Sequence, residues 1–331
     1  MKNPDSPVRS WQAKLAAATL SGADLAAALG LPPSPRAPRA EEQFPVRVPP
    51  GFLAAIAPGR VDDPLLRQVL PAPEEEVVVP GFVADPVGDG EVMLRPGLLH
   101  KYHGRVLLIA TGACAIHCRY CFRRHFPYHE AHVAGDDFAE ALEHIAKDAS
   151  IREVILSGGD PLVLSDRRLG ALTGALAAIP HVERLRIHTR VPTVLPERIG
   201  DEFIAWFAPL GLRKVVVVHV NHAQEITPAA YDALGRLRSA GATLLNQAVL
   251  LRGVNDTLDA QEQLADALFD AGVLPYYLHM LDRVRGAAHF EVGDAEAQAL
   301  VEAMRGRLPG YLVPRLVREV AGAPSKLPMM A

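Results

Sequence analysis

The stretch TGACAIHCRYCFRRHF, residues 111–126, contains all three cysteines of this 331-residue chain, Cys114, Cys118 and Cys121. It directly follows VLLIA (106–110), an apolar run that opens a regular alternation of strands and helices. Three thiolates spaced Cys-x3-Cys-x2-Cys match three irons of a [4Fe-4S] cube and leave the fourth iron without a protein ligand. The sequence therefore predicts an iron–sulfur site after the first strand, with one iron open to another molecule.

Two other uses of the three cysteines remain open on spacing alone. A disulfide would leave one cysteine unpaired, and a tetrahedral zinc site would need a fourth ligand, for which His117 or His125 could serve. Structural zinc sites usually pair cysteines as Cys-x2-Cys repeats rather than at this unequal spacing. The cluster is therefore the favoured interpretation.

Composition limits the class of protein. With 49% hydrophobic residues, the chain suffices for one large domain or a domain with extensions. A formal net charge of -4 argues against a broad nucleic-acid-binding surface, so we expect no nucleic-acid partner. The start, MKNPDSPVRSWQAKLAAATL, lacks a basic segment followed by a long apolar core, and no later stretch of membrane-spanning length is free of charges. We expect a soluble, cytoplasmic protein with no membrane partner, in a compartment that keeps thiols reduced.

The first 99 residues predict a wrapping segment rather than an independent enzyme. Apolar spacing from Trp11 to Leu29, broken at SGAD (21–24), predicts two short helices. The proline-rich run PPSPRAPRAEEQFPVRVPP (32–50) predicts an extended connector.

From Arg105 onward, buried strands alternate with amphipathic helices. The six predicted strands are VLLIA (106–110), EVILSGGD (153–160), RLRIHTR (184–190), KVVVVHV (214–220), TLLNQAVLL (243–251) and LPYYLHML (274–281). Helices are predicted at DDFAEALEHIAKD (136–148), SDRRLGALTGALAAI (165–179), TPAAYDALGRLRSAG (227–241) and LDAQEQLADALFDAG (258–272). Strand–helix units in this order imply a parallel sheet.

Polar residues concentrate where these strands end, as at the catalytic rim of barrel-like folds. Six units are fewer than the eight of a closed barrel, so the α/β fold expected is a partial (β/α)6 barrel. A doubly wound open sheet is the alternative, because alternation alone cannot separate the two. Several polar groups on one rim are better explained by a polar ligand than by core packing. The rim residues are Ser157, Gly158, Gly159, Asp160, His188, Thr189, Arg190, His219, Asn221, His222, Asn246 and Gln247.

The cysteine spacing, with aromatic Tyr120 before the last cysteine, resembles the radical S-adenosylmethionine superfamily. That resemblance implies that the amino and carboxylate groups of S-adenosylmethionine chelate the open iron. One electron from the cluster would then release a 5′-deoxyadenosyl radical. Ser157 to Asp160 resemble the superfamily's glycine-rich segment that contacts the cofactor's amino group, although a Gly-Gly-Asp turn alone is more often a plain strand-to-helix turn.

From about His100 onward, the chain more specifically resembles the lysine 2,3-aminomutase family, which adds pyridoxal 5′-phosphate to this chemistry. Lys326 lies in a Gly/Ala/Pro/Ser-rich loop, where a lysine is usually only solvated, but the resemblance implies that it carries the pyridoxal phosphate. The matching motifs are HKYHGRVLL (100–108), CRYCFRRHF (118–126), ILSGGDPL (155–162), IHTRVPTVLPERI (187–199), HVNHAQEIT (219–227), NQAVLLRGVND (246–256), PYYLHMLD (275–282) and PSKLP (324–328).

The same resemblance implies further roles. Arg123 would bind the substrate carboxylate through its planar guanidinium, and Asp282 and Glu319 would bind a distant substrate ammonium. Two acids at that end favour lysine over glutamate as the substrate. The remaining cofactor contacts would be Lys101, Tyr102 and Arg105 on the phosphate of pyridoxal phosphate, and Ser157, Gly158, Gly159, Asp160, His219 and Gln247 on S-adenosylmethionine.

The implied protein is an isomerase that converts L-lysine to (R)-β-lysine. Within the family, the chain is more similar to the short members that supply β-lysine for elongation factor P. It has only three cysteines, it ends soon after Lys326, and it has Glu319 where a second aspartate is usual. Expected partners are then elongation factor P with its β-lysine ligase, an electron donor of flavodoxin or ferredoxin type, and a second copy of the chain. Alternatives are another amino acid substrate, β-lysine metabolism, or a non-catalytic Fe-S scaffold.

Three segments are expected on this interpretation. Residues 1–99 form the mostly helical wrapping extension, residues 100–290 the radical S-adenosylmethionine core, and residues 291–331 a C-terminal flap with the lysine that binds pyridoxal phosphate.

Overall fold

A ten-stranded sheet forms the centre of the protein, and the order of its strands along the sheet is their order along the chain. The computed structural model describes residues 7–32, 37–128 and 138–329. The strands are β1 (Met93–Arg95), β2 (Leu98–Tyr102), β3 (Arg105–Thr111), β4 (Glu153–Gly158), β5 (Arg184–Thr189), β6 (Arg213–Val218), β7 (Ala242–Val249), β8 (Leu274–His279), β9 (Arg315–Arg318) and β10 (Leu327–Pro328).

Strands β3 to β9 pair in parallel, and β1, β2 and β10 add antiparallel pairs at the two ends. The six predicted strands are β3 to β8, so their prediction is confirmed. A doubly wound sheet reverses its strand order at a switch point, whereas this order never reverses, so that alternative is wrong. Among the described residues β1 and β10 do not pair with each other, and the wall stays open. The expected partial (β/α) barrel is confirmed.

The helices fill the connections between parallel strands and build the N-terminal segment. They are α1 (Pro7–Ala16), α2 (Gly22–Ala28), α3 (Pro38–Gln43), α4 (Pro50–Leu53), α5 (Pro64–Arg67), α6 (Ala139–Lys147), α7 (Asp166–Ala177), α8 (Val191–Val194), α9 (Asp201–Phe207), α10 (Pro228–Ser239), α11 (Leu258–Asp270) and α12 (Asp294–Arg307). No helix within the described ranges is long and apolar enough to cross a membrane.

The four helices predicted after β3 are α6, α7, α10 and α11. Residues 136 and 137 of the first prediction lie outside the described residues. Side-chain caps fix where the other three begin: Ser165, Thr227 and Thr257 each accept a hydrogen bond from the backbone N–H three residues later. Such caps satisfy N–H groups that have no partner inside the helix.

The N-terminal segment differs from its prediction in one place. Helices α1 and α2 appear where two short helices were expected. The prediction of an extended connector at residues 32–50 is wrong for Pro38–Gln43, which form α3, and residues 33–36 lie outside the described residues. Proline at the first helical position followed by the helix formers AEEQ explains the difference.

This segment wraps the cysteine loop through a buried carboxylate. Arg119 lies between Cys118 and Tyr120 and is fully buried. Its guanidinium donates to Glu75 at 2.6 and 2.9 Å and to the Ala40 carbonyl at 3.0 Å. Arg124 donates to the same Glu75 at 2.8 Å. The loop and the segment are therefore held together by one acid and two arginines.

Replacing Glu75 by Gln should lower the free energy of unfolding by about 3–5 kcal/mol, because it leaves two buried cations without their counter-ion. Chemical denaturation followed by circular dichroism measures this change. Asp62→Asn is the control, since Asp62 and Arg60 form an exposed pair that contributes little. If Glu75→Gln lost no more free energy of unfolding than the control, Glu75 would not hold the loop and the N-terminal segment together.

Candidate functional site

The cysteine loop places three free thiols in partly buried positions. Burial, followed by the nearby Cys121, Asp160 and Cys118, raises the pKa of Cys114 well above its usual value. Burial and Cys118 raise the pKa of Cys121 to about 11. The thiols thus lie close enough to affect one another, and a bound cation would favour their ionised form.

The arrangement of the sulfurs argues against a single zinc ion. In the described part of the chain, the three cysteines are not among the groups whose ligand atoms all converge within 4.8 Å. Four sulfurs on one zinc ion would lie about 3.8 Å apart, given Zn–S bonds of about 2.3 Å. The proposed fourth ligands are engaged elsewhere: His117 Nδ1 contacts the Pro45 carbonyl at 2.7 Å, and His125 Nε2 contacts the Arg285 carbonyl at 3.2 Å. The wider spacing suits a cluster.

The Gly-Gly pair after β4 packs directly on the start of the cysteine loop. Gly158 has a φ of +115°, and a Cβ on Gly159 would lie 2.2 Å from the Ala113 carbonyl oxygen. Gly159 N donates to the Thr111 carbonyl at 2.7 Å, and Asp160 N to the Ala113 carbonyl at 2.8 Å. These glycines permit a backbone approach that any side chain would block.

The Asp160 side chain is bonded to the protein itself. Its buried carboxylate accepts the Leu162 N–H at 3.0 Å, the Arg190 N–H at 2.7 Å and the Val191 N–H at 3.2 Å. The Thr189 hydroxyl donates to it at 2.7 Å. The carboxylate thus fixes the end of β5, and the role of Asp160 as a cofactor contact stays a prediction.

A buried arginine reaches the middle cysteine. Arg190 Nη1 lies 2.8 Å from Cys118 Sγ and 2.8 Å from the Tyr120 hydroxyl, while Nη2 donates to Glu225 at 2.6 Å and Gln68 at 3.1 Å. Such donors to a ligating sulfur tune the potential of an iron–sulfur cluster. The sequence placed Arg190 on the rim but gave it no role.

His219 belongs to the same network. Its Nε2 lies 3.3 Å from the Tyr120 hydroxyl. Burial, and then the charge of Arg190, lowers the pKa of His219 to about 3, so the imidazole is neutral. It can therefore accept or donate one hydrogen bond to a ligand beside the cysteine loop.

A second cluster surrounds Lys326. The Lys326 ammonium pairs with Glu319, whose other oxygen accepts the Tyr102 hydroxyl at 2.8 Å. Lys101 Nζ lies 3.7 Å from Glu319, and the Arg105 guanidinium lies 4.7 Å from the centre of the Tyr102 ring. Burial opposes ionisation of Glu319, but Lys326 and its other donors hold its pKa below the usual value. Lys101 and Tyr102 from one end of the sheet and Lys326 from the other thus meet at the carboxylate of Glu319.

Asp89 joins this cluster to Arg123, a role that its sequence context VGDG does not indicate. One oxygen of Asp89 pairs with Lys101 Nζ at 2.8 Å, and the other accepts Arg123 Nε at 2.7 Å. Despite burial, Arg123 and Lys101 hold the pKa of Asp89 below its usual value. Arg123 Nη1 continues to the Ser157 hydroxyl at 3.3 Å, which links the Lys326 cluster to the end of β4.

Asp282, just beyond β8, has an unusually basic carboxyl. Burial raises its pKa to about 7 against the opposing charge of Lys326, and Glu319 adds to the rise. Two other acids, Glu319 and Asp89, act on this carboxyl. A bound cation would relieve their repulsion and favour the ionised form of Asp282.

Two imidazoles near Lys326 each have one buried nitrogen without a partner in the described part of the chain. The Nε2 atoms of His188 and His279 are buried without a hydrogen-bond partner among the described residues. Burial, with the charge of Lys326 among the further causes, lowers the pKa of both, so both are neutral. Buried polar atoms are normally satisfied, so these fit a polar ligand held near Lys326. Gln247, half-buried on β7, pairs in register with Tyr277, whose ring centre lies 6.0 Å from Lys326 Nζ.

The expected site residues therefore fall into two linked groups. The first surrounds the cysteine loop and contains the cysteines, Ser157, the two glycines and His219. The second surrounds Lys326 and contains Lys101, Tyr102, Arg105, Arg123, Asp282 and Glu319. Asp160 supports the first group through backbone contacts. The Arg123–Ser157 hydrogen bond connects the two.

Comparison with known proteins identifies the class. The model of the radical SAM superfamily matches residues 108–264, which include the cysteine loop and the strands that follow it. That part of the chain is accordingly a radical S-adenosylmethionine domain, and this class of protein uses a [4Fe-4S] cluster and S-adenosylmethionine.

Relatives narrow the class to one family. An L-lysine 2,3-aminomutase of Escherichia coli (strain K12) is 49% identical over 290 residues, covering 88% of this chain and 84% of that protein. A second, from Haemophilus influenzae, is 47% identical and covers 87% of this chain and 85% of that protein. A third, from Clostridium subterminale, is 36% identical and covers 86% and 68%. The chain belongs to the lysine 2,3-aminomutase family, whose members are isomerases.

Asp160→Asn should lower the free energy of unfolding by about 1–3 kcal/mol, because an amide nitrogen would face buried N–H groups that now have an acceptor. Thermal and chemical denaturation measure the loss. Asp232→Asn on α10, an exposed position, is the control and should change little. Unchanged stability together with weaker S-adenosylmethionine binding would instead support a direct cofactor contact for Asp160.

Proposed function

We propose that this protein is a radical S-adenosylmethionine isomerase that also uses pyridoxal 5′-phosphate and converts L-lysine to (R)-β-lysine. The observation that carries the proposal is the partly buried cluster in which the Lys326 amine pairs with Glu319 and its charge also acts on the carboxyl of Asp282. A scaffold protein has no use for a lysine held among buried acids, whereas a site for a cofactor-bound diamine needs both.

We assign the iron–sulfur ligands to Cys114, Cys118 and Cys121. When bound, the cluster and S-adenosylmethionine supply a radical that removes hydrogen from an unactivated carbon. The protein's contribution is to fix the loop: Arg190 donates to Cys118, and the backbone of Gly159 packs on Ala113. Ser157, Gly158, Gly159, Asp160, His219 and Gln247 are proposed to contact S-adenosylmethionine.

Pyridoxal phosphate fits the second group of residues. Lys326 offers the amine for covalent attachment, and Lys101, Tyr102 and Arg105 offer cationic and phenolic donors for a phosphate. When bound, this cofactor supplies an electron-accepting ring that lets an amino group migrate between neighbouring carbons. The Nε2 atoms of His188 and His279, which have no partner within the described ranges, are available as donors or acceptors for it or for the substrate.

Charges of opposite sign define the two ends of the substrate pocket. Arg123, oriented by Asp89 at 2.7 Å, is proposed to bind the substrate carboxylate through its planar fork. Asp282 and Glu319 are proposed to bind the ammonium at the far end. Two acids reject a glutamate side chain by repulsion and favour lysine.

The destination of the product is proposed from the sequence resemblance. The chain is more similar to the Escherichia coli relative, at 49% identity, than to the Clostridium subterminale relative, at 36%. We propose that it acts as an elongation factor P β-lysylation protein, whose product a separate ligase attaches to that factor. A flavodoxin or ferredoxin would supply the electron in the cytoplasm, and the enzyme would act as a homo-oligomer.

The three segments are proposed to divide the work. Residues 1–99 hold the cysteine loop through Glu75, residues 100–290 carry the cluster and the substrate carboxylate site, and residues 291–331 bring Glu319 and Lys326. The edge at residues 99 and 100 falls within β2, so the first two segments share one strand.

The proposal is tested by anaerobic incubation of the reconstituted protein with lysine, S-adenosylmethionine, pyridoxal phosphate and a reductant. Chiral chromatography with mass spectrometry should find (R)-β-lysine. Parallel reactions with glutamate and ornithine identify another substrate, and turnover of either one in preference to lysine would refute the assignment.

Lys326→Ala should remove the visible absorbance of covalently bound pyridoxal phosphate and abolish β-lysine formation, while iron content and some S-adenosylmethionine cleavage remain. Lys326 and the three cysteines belong to different groups of residues, so losing the amine should spare the cysteine loop. Lys147→Ala, an exposed lysine on α6, is the control. A borohydride-trapped cofactor on another lysine in Lys326→Ala would show that the tail assignment is wrong.

Asp282→Asn should lower kcat/KM for lysine by roughly two to four orders of magnitude, because losing one partner of a buried charge pair costs about 3–5 kcal/mol. Binding of pyridoxal phosphate should change little. Asp294→Asn, outside the pocket and paired with Arg318, is the control and should keep normal turnover.

The pH profile gives a second readout for Asp282. Because burial raises its pKa to about 7, the carboxyl of the free enzyme is protonated below neutral pH and ionised above it. Lysine needs the ionised form, so kcat/KM should fall as the pH drops through about 7, and Asp282→Asn should lose this step. A step that persists in the variant assigns it to another group.

A further inference from the structure

Outside the proposed active site, three side chains converge as metal ligands do. His100 on β2, His144 on the last turn of α6 and Asp148 just after that helix each offer a ligand atom, and these atoms lie within 4.8 Å of one another. In the described part of the chain, no other group of three or more His, Cys, Asp or Glu side chains converges this closely.

The group lies on the outer side of the sheet. The His100 side chain reaches His144 and Asp148 at the end of α6, whereas the side chain of the next residue, Lys101, pairs with Asp89 in the Lys326 cluster. The two neighbouring side chains therefore lead to different places. The spacing of four residues between His144 and Asp148 brings both to the side of α6 that faces β2.

One member of this group, His144, has a ring nitrogen without a hydrogen-bond partner among the described residues. The Nε2 of His144 is buried and has no hydrogen-bond partner among the described residues. Asp148 Oδ1 accepts the Ser150 N–H at 2.9 Å, which orients the carboxylate as an outer hydrogen bond orients a metal ligand. Buried polar atoms are normally satisfied, so the free nitrogen of His144 points to a missing partner.

We propose that His100, His144 and Asp148 bind one divalent transition-metal ion, with Zn²⁺ as the ion that suits this ligand set best. Two imidazoles and one carboxylate are common zinc ligands, whereas Mg²⁺ and Ca²⁺ prefer oxygen ligands alone. Zinc bonds of about 2.0–2.2 Å place neighbouring ligand atoms about 3.4 Å apart, which small side-chain rotations achieve from the observed separation. Water completes the tetrahedron.

The ion ties the end of α6 to β2. This strand also carries Lys101 and Tyr102, the donors proposed for the phosphate of pyridoxal phosphate. Because the ion lies at the end of α6 and not in the Lys326 cluster, its effect is on stability and not on the chemical step. Binding of this ion does not depend on which substrate the protein converts.

The test is equilibrium dialysis of the cluster-loaded, full-length protein against buffered Zn²⁺, with zinc and iron measured together by mass spectrometry. We expect one zinc per chain at unchanged iron content. His100→Ala and His144→Ala should each weaken zinc binding at least about a hundredfold, since even outer-shell changes cost 10–100-fold. His103→Ala, an exposed histidine in the turn after β2, is the matched control and should bind normally.

Thermal unfolding supplies an independent readout. Zn²⁺ should raise the melting temperature of the parent protein and of His103→Ala, but not that of His100→Ala, because an ion that binds only the folded state stabilises it. If His144→Ala fails to fold, Asp148→Asn, which keeps the shape of the side chain, decides the matter and should also bind zinc more weakly. Unweakened binding by His100→Ala and Asp148→Asn, absence of zinc from the parent protein, or zinc uptake matched by iron loss would overturn the proposal.

Discussion

The rest of the structure depends on the buried carboxylate of Glu75. It accepts hydrogen bonds from Arg119 and Arg124 on the cysteine loop, and the Ala40 carbonyl takes a further donor of Arg119. Isolated charges are costly to bury, so neither the loop nor the N-terminal segment can adopt this arrangement alone. The segment that reads as a mere extension is thus part of the framework of the cysteine loop.

From this loop, polar contacts run without interruption to the Lys326 cluster. Ser157 at the end of β4 contacts Arg123, Arg123 pairs with Asp89, and Asp89 pairs with Lys101 beside Glu319. Networks of this kind fix the orientation of every member when all are satisfied. The two proposed cofactors would therefore share one rigid support, although they are held by different parts of the chain.

Features set by local sequence could be predicted, and features set by distant partners could not. Strands β3 to β8 are long apolar runs, whereas β1, β9 and β10 have two to four residues and form because a neighbouring strand is already present. The spacing of the three cysteines within eight residues is enough to predict an iron–sulfur site. Asp89 lies 34 residues from Arg123, and nothing in VGDG connects them. Asp160 was recognised by its motif, but only its contacts show that its carboxylate serves the backbone.

Gly159 determines how closely the cysteine loop packs on β4. Because even a methyl group there would collide with the Ala113 carbonyl, the cysteine loop and β4 touch backbone to backbone. Backbone contacts cannot be relaxed by rotating a side chain, so the packing of the loop on the end of β4 holds the two at a constant separation. A reaction that passes a short-lived radical from one bound molecule to another needs such a fixed gap. In this protein, the distance between the cysteine loop and β4 depends on residue 159 having no Cβ atom.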